Sequence, residues 1–241
     1  VEVARDGRPG LDVRGLVGQG AVASVLLGAA AVPELFCVGS RGRGSLAALL
    51  LGSVGVDVAR YAPRPVVVVR AGARNGHRLF AGHVVVGVDG QPHSRAALEF
   101  AFAEAGRRQA PLVAVHAAVL GPVDQWRDEA FGELHQEVHY PEWDRLEAAV
   151  EPYRVQYPKL RVKLALHQAP AAAALLRAAA GAHLLVVGTV GAGRVGGVLG
   201  GSVSRSVLLH AGCPVAVVPA SGTVAAGRPG AAPPAAEEAA R

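Results

Sequence analysis

The sequence predicts a duplicated α/β protein built on a parallel sheet with helices on both faces. Three observations carry this. Leu11–Val69 lies over Leu160–Val218 without a gap, each residue finding its counterpart 149 positions further on; a period this long marks a duplicated domain, because solenoid repeats run to about 20–50 residues. Within each copy, short apolar runs alternate with stretches of helical period. The runs are continuous rather than alternating, and a strand apolar on both sides of its pleat needs cover on both faces of its sheet.

The second copy reads as five strand and helix units in order. His83–Asp89 (HVVVGVD) is a β-branched run closed by an acid and a turn, and Ser94–Arg108 follows with apolar residues at helical spacing. Pro111–Val119 is a second strand, Asp124–Tyr157 a longer and more polar helical region, and Leu160–His167 a third strand. Pro170–Ala180 is a helix rich in Ala and Leu, His183–Gly188 a fourth strand, Gly201–His210 a helix and Pro214–Val218 a fifth strand. Projected back by one period, the counterpart of Val84–Asp89 falls upstream of Val1, so the first copy is expected to hold only its last three strands. The chain starts on Val and contains no Met, which fits a truncated reading frame, a valine-coded start or a trimmed domain. The expected division is residues 1–72 for the C-terminal part of a first domain and 82–219 for a complete second one. Residues 220–241, mostly Gly, Ala, Pro and Glu without an apolar period, are expected to be a disordered tail.

Composition removes several function classes. Half the residues are apolar (51%) and 18% are charged over 241 residues, enough to bury a core and too apolar for a disordered chain. No run reaches the roughly 18 uninterrupted apolar residues of a membrane span, and the N-terminus has no basic region followed by an apolar one. The expected compartment is the cytoplasm, with no membrane partner. A net charge of +5 from singly scattered Arg forms no basic stripe with aromatics, so no nucleic acid partner is expected. Cys37 in an apolar run and Cys213 before Pro214 are expected to be buried thiols rather than a disulfide or metal site.

Both copies carry G-x2-G-x9-G-S after a buried strand. In the first it is Gly39, Ser40, Arg41 and Gly42, then Gly52, Ser53 and Val54; in the second Gly188, Thr189, Val190 and Gly191, then Gly201, Ser202, Val203 and Ser204. Glycines let the backbone approach a phosphate, N–H groups at the following helix start point at it, and the Ser hydroxyl adds a donor. About 15 of 36 positions around this motif are identical between the copies, which makes a shared constraint a better account than coincidence.

With VVVGVDG at Val84–Gly90, VGSRGRG at Val38–Gly44, LLLGSV at Leu49–Val54, VVGTVGAG at Val186–Gly193, LGGSVS at Leu199–Ser204 and the closing CPVAVVP, the chain resembles a tandem member of the universal stress protein family (UspA type) with an N-terminally truncated first copy. The resemblance implies a flavodoxin-like, HUP-type sheet of five parallel strands in the order 3-2-1-4-5, dimerisation, and the ATP-binding subtype. It places Val88 and Asp89 beside the nucleoside, the backbone of Ala117 against adenine, and Gly188, Thr189, Val190, Gly191, Gly201, Ser202, Val203 and Ser204 around the phosphates. Open parallel sheets bind ligands beyond the carboxyl ends of their strands, which agrees. Asp89 also reads as a plain turn residue before Gly90. Two departures stand out: Val190 replaces an Arg common in the family and present as Arg41 in the first copy, and the first copy has no counterpart of Asp89 in this chain.

Other motifs are decoys. Gly191–Gly196 fits G-x-G-x-x-G but follows the fourth strand and lacks the acid about 20 residues on, and no G-x4-G-K-[ST] occurs. His135 and His139 are spaced H-x-E-x-H rather than H-E-x-x-H, and no metal is expected. The expected function is binding of ATP, with or without Mg²⁺, or a related adenine nucleotide, with nucleotide-dependent protein interaction under stress. No catalytic residue is expected, and any ATP hydrolysis would be slow or incidental. The alternative is a nucleotide-independent interaction module of the same fold. An adenylating enzyme of the wider fold group would need a further motif. Partners expected are a homodimer or the two copies paired through the fifth strands, Val66–Val69 and Pro214–Val218, whose open edges invite pairing.

Overall fold

A computed structural model describes residues 10–29, 33–39, 53–69, 79–118, 141–189 and 202–220. In chain order the first copy supplies α1 (Val22–Ala29), β1 (Phe36–Gly39), α2 (Ser53–Tyr61) and β2 (Val66–Val69). The second supplies β3 (Val84–Gly87), α3 (Pro92–Arg108), β4 (Leu112–Ala117), α4 (Pro141–Gln156), β5 (Val162–His167), α5 (Ala171–Ala178), β6 (Leu184–Thr189), α6 (Ser202–His210) and β7 (Val215–Pro219). The sequence period survives in three dimensions: α1 and α5, like α2 and α6, begin and end at positions equivalent in the repeat.

One seven-stranded sheet runs through both copies in the order β1-β2-β7-β6-β3-β4-β5. The second copy's strands lie third, second, first, fourth, fifth from β5 to β7, all parallel, which is the architecture expected. β1 and β2 pair parallel with each other, and β2 meets β7 antiparallel through Val66↔Val217, Val67↔Ala216 and Val68↔Val215.

Strand β3 shows why the apolar run is continuous. Val84 and Val86 face a cluster closed by α3 and α4, with Leu98, Phe102, Leu146 and Val150. Val85 faces the other cluster, closed by α5, α6 and α2 with Leu175, Val207, Leu208 and Val58. Alternate side chains point to opposite faces, so a central strand needs apolar residues at every position. Ala97, Ala101 and Ala105 of α3 are fully buried, and their small side chains let the helix lie close on the sheet. The helix ends where Gln109 takes a left-handed φ of 52° and its N–H bonds back to the Ala105 and Gly106 carbonyls.

Two expectations are corrected. The first copy shows two strands, not three, among its described residues: 11–19 form no strand, and Leu16 and Val17 are exposed. Their counterparts in β5 pair only with β4, whose first-copy equivalent projects upstream of Val1, and among the described residues no strand lies in that place beside 11–19. Cys213 is buried as expected, but Cys37 is exposed. Its counterpart Val186 is covered by α3, whereas among the described residues no helix lies over Cys37. The expected tail, 220–241, lies outside the described residues beyond Ala220.

Candidate functional site

At the carboxyl ends of β3, β4 and β6 lies a cleft of about 250 Å³. Most of its wall comes from element boundaries: Gly87 ends β3 and Val88 and Asp89 follow it, Ala117 ends β4, Gly188 nears the end of β6, Ala171 opens α5 with Leu175 one turn on, and Val203 and Ser204 lie in the first turn of α6. A parallel sheet directs all these strand ends, and the N-termini of the helices that follow them, to one edge.

Asp89 is the best-anchored group there. Its Oδ1 accepts hydrogen bonds from the Gln91 backbone N–H at 3.0 Å and from Ser94 Oγ, while Ser94 Oγ in turn accepts from the Asp89 N–H at 3.0 Å. On the other oxygen, Oδ2 accepts from His93 Nε2 at 2.8 Å. The turn that makes this possible needs Gly90, whose φ of +75° is a left-handed conformation that suits glycine. Ser94 is buried, while about half of the Asp89 side chain remains exposed. Burial pushes the Asp89 carboxyl upward and is the largest single influence, but hydrogen bonds from Ser94 and Gln91 and the charge and hydrogen bond of His93 together hold it below its ordinary value. Asp89 is therefore an anion at neutral pH, placed at the N-terminus of α3, where the helix dipole favours negative charge.

A depressed carboxyl stabilises the fold above its unfolded-state pKa, and that contribution is lost as pH falls through the folded value. Asp89→Asn is expected to lower the urea midpoint at about pH 6 and to match the parent chain more closely at about pH 3. A gap that stays constant between the two would show that the charge of Asp89 contributes nothing to stability.

Gly188 has a steric reason. A Cβ there would lie 2.5 Å from the His93 carbonyl oxygen and 3.0 Å from the His93 ring, so β6 passes the first turn of α3 at backbone distance. Nearby, His116 Nδ1 sits 2.7 Å from the Val88 carbonyl; a carbonyl only accepts, so the imidazole donates from Nδ1.

Of the residues singled out in the second copy, Val88, Asp89, Ala117, Gly188, Val203 and Ser204 line the cleft together. Thr189 is buried at the end of β6 and Ser202 is exposed as the first residue of α6; neither is among the lining residues. Val190, Gly191 and Gly201 lie outside the described residues, as do Ser40, Arg41, Gly42 and Gly52 of the first copy and His135 and His139. Gly39 ends β1, Ser53 begins α2, and Val54 packs against the core. The lining residues that sequence reasoning missed include His93, Ser94, Ala171 and Leu175. Ser94 was detectable, since a Ser five residues past an Asp at a helix start is placed to bond back to it; Leu175 looks like any helix core residue. Among the described residues no three His, Cys, Asp or Glu side chains gather as a metal site, and no helix is long and apolar enough to cross a membrane.

The universal stress protein family model matches residues 1–70 and 81–219. The chain belongs to the universal stress protein family. A universal stress protein of Mycolicibacterium smegmatis is 35% identical over 218 residues, covering 87% of this chain and 69% of the relative. One of Mycobacterium tuberculosis is 35% identical over 211 residues, covering 85% of this chain and 57% of that protein; the chain thus spans little more than half of this relative. Among solved structures, a universal stress protein from Archaeoglobus fulgidus aligns with a TM-score of 0.55 at 21% identity, over 78% of this chain and 62% of that one. At that identity the likeness speaks for the fold, and two family matches in one chain agree with the repeat.

Proposed function

We propose that the cleft of this universal stress protein binds ATP, with or without Mg²⁺, or a related adenine nucleotide, and that the protein acts under stress through nucleotide-dependent interaction with other proteins in the cytoplasm. One observation carries the reading: a half-exposed anionic Asp89 and the N-terminus of α6, with Val203 and Ser204, line the same cleft at the carboxyl edge of the sheet. A carboxylate takes donors such as an amino group or a hydroxyl, and a helix N-terminus takes phosphate. The backbone of Ala117 lies between β3 and β5 at the end of β4, where an adenine edge would meet it. Asp89 and His93 are the only titratable side chains among the described lining residues, and a carboxylate of depressed pKa is a poor general base, so ATP hydrolysis is proposed to be slow or incidental.

The test is calorimetric titration of ATP with Mg²⁺ into the folded chain and into Asp89→Ala. Saturable micromolar binding is expected, weakened in the variant by about 10–100-fold, the size of a lost hydrogen bond to a charged group. No heat at millimolar ATP overturns the reading. The second reading, an interaction module that binds no nucleotide, draws on the same geometry: both Asp89 oxygens already have protein donors, and Val190 supplies no cation where Arg41 stands in the first copy.

A further inference from the structure

Imidazole is the side chain whose charge changes between about pH 5 and 8, and one lines the cleft. His93 lies in the first turn of α3 with its Nε2 2.8 Å from Asp89 Oδ2. On its other side the ring Cδ2 would be 3.0 Å from a Cβ at Gly188. The ring thus stands between the carboxylate that follows β3 and the first glycine of the β6 motif. Its side chain is 21% exposed, which leaves it open to proton exchange.

A carboxylate oxygen accepts, so Nε2 carries a hydrogen whichever form the ring takes. In the neutral ring Nδ1 is bare, and in the imidazolium it too is protonated. Asp89 is held as an anion by Ser94 and Gln91 as well as by His93. With the neutral ring the pair therefore carries the charge of a lone carboxylate, and with the imidazolium the two charges cancel.

Nothing else among the described lining residues is charged: β4, β6, α5 and α6 contribute Ala, Val, Leu, Gly and Ser. Titratable groups behind these walls are turned elsewhere. His116 of β4 donates to the Val88 carbonyl, Arg95 and Glu99 of α3 act on Tyr153 of α4, His167 of β5 feels Arg177 of α5, and Arg205 of α6 is exposed. In the glycine motif Val190 stands where the first copy has Arg41, so that position brings no fixed cation. To an incoming anion the described cleft offers the N-terminus of α6 and, when protonated, His93.

We infer that His93 selects ligands by charge, so that a phosphate-bearing nucleotide binds with uptake of a proton on Nδ1 and a neutral nucleoside binds without one. The inference rests on the nucleotide reading above and adds a control to that site: affinity for the anion rises as pH falls. Against the neutral ring a phosphate meets the uncancelled carboxylate of Asp89, and in a partly buried cleft that repulsion corresponds to about tenfold in affinity. By linkage, the bound anion raises the affinity of His93 for its proton.

The full 241-residue chain is titrated calorimetrically with ATP in excess Mg²⁺ and with adenosine, at about pH 5.5 and about pH 8. His93→Gln is titrated alongside; its amide keeps a donor for Asp89 and takes no charge. ATP is expected to bind the parent chain about tenfold more tightly at the lower pH, after subtraction of the change in the variant, while adenosine binds alike at both. Should His93→Gln fail to fold by circular dichroism, the parent alone decides: titrations near neutral pH in buffers of different ionisation heat should show net proton uptake with ATP and none with adenosine. An equal pH dependence in parent and variant, an adenosine affinity that rises as steeply as that of ATP, or ATP binding without proton uptake overturns the inference and leaves nucleotide binding standing. Absence of binding by both ligands at both pH values overturns the nucleotide reading and this inference with it.

Discussion

Gly188→Ala is expected to lower stability by about 1–3 kcal/mol and to abolish ligand binding in the cleft. The added methyl would meet the His93 carbonyl oxygen at 2.5 Å and its carbonyl carbon at 2.9 Å. Those are backbone atoms in the first turn of α3, and no rotamer change relieves them. Relief requires α3 to move away from β6, yet α3 is held on the sheet by Leu98, Ala101 and Phe102, all buried. Because His93 and Ser94 ride on that turn and hold Asp89, a shift of the turn also displaces the carboxylate. Gly87→Ala is the control. Its Cβ would meet the Leu175 methyls at 3.0 and 3.2 Å, the ends of a flexible side chain, so its cost should stay within about 1 kcal/mol. Urea midpoints and ATP titrations of both variants check this. Equal stability of the two would show that the approach of β6 to α3 does not fix the cleft.

Phe102→Ala is expected to cost about 3–5 kcal/mol in urea unfolding. Its ring is fully buried, stacked on Tyr153 with centroids 5.1 Å apart and tilted against Tyr157 at 5.7 Å. Those two rings belong to the end of α4 and the turn after it, so Phe102 is where α4 locks to α3. The Tyr153 hydroxyl, which donates to the Arg95 carbonyl at 3.1 Å, ties the same helices at their polar rim. Truncation removes the transfer free energy of a large aromatic and leaves a cavity between two helices that rest on one sheet face. Phe102→Leu, which fills most of the volume, should recover a large part of the loss. A cost below about 1 kcal/mol for Phe102→Ala would mean that α4 contributes little to the cooperative unit. Because the cleft lies at the ends of β3, β4 and β6, ligand affinity should fall far less for Phe102→Ala than for Gly188→Ala, provided both are compared below their unfolding transitions.

Much of the fold was legible because its signals are local or periodic. β-Branched runs at Val84–Val86 and Val215–Val218, helical spacing after Ser94, and the 149-position repeat each report a constraint felt within a few residues or copied whole. The resemblance supplied the strand order. The depth of Val88, Asp89, Ala117 and Gly188 at one edge follows from that order, since parallel strands send their carboxyl ends the same way.

The sequence by itself determined the alternation of strands and helices, the duplication, the glycine motif of each copy and the acidic residue closing β3, because spacing and side-chain chemistry are written along the chain. Tertiary structure alone decided three matters. It joined β2 to β7 antiparallel in one sheet. It left residues 11–19 without a strand and Cys37 exposed, since a strand needs a neighbour to bond and a face needs a helix to cover it. It also brought His93 and Ser94 onto Asp89 and the backbone of His93 against Gly188. Such contacts depend on where separate elements meet in space, and distance along the chain carries no record of that.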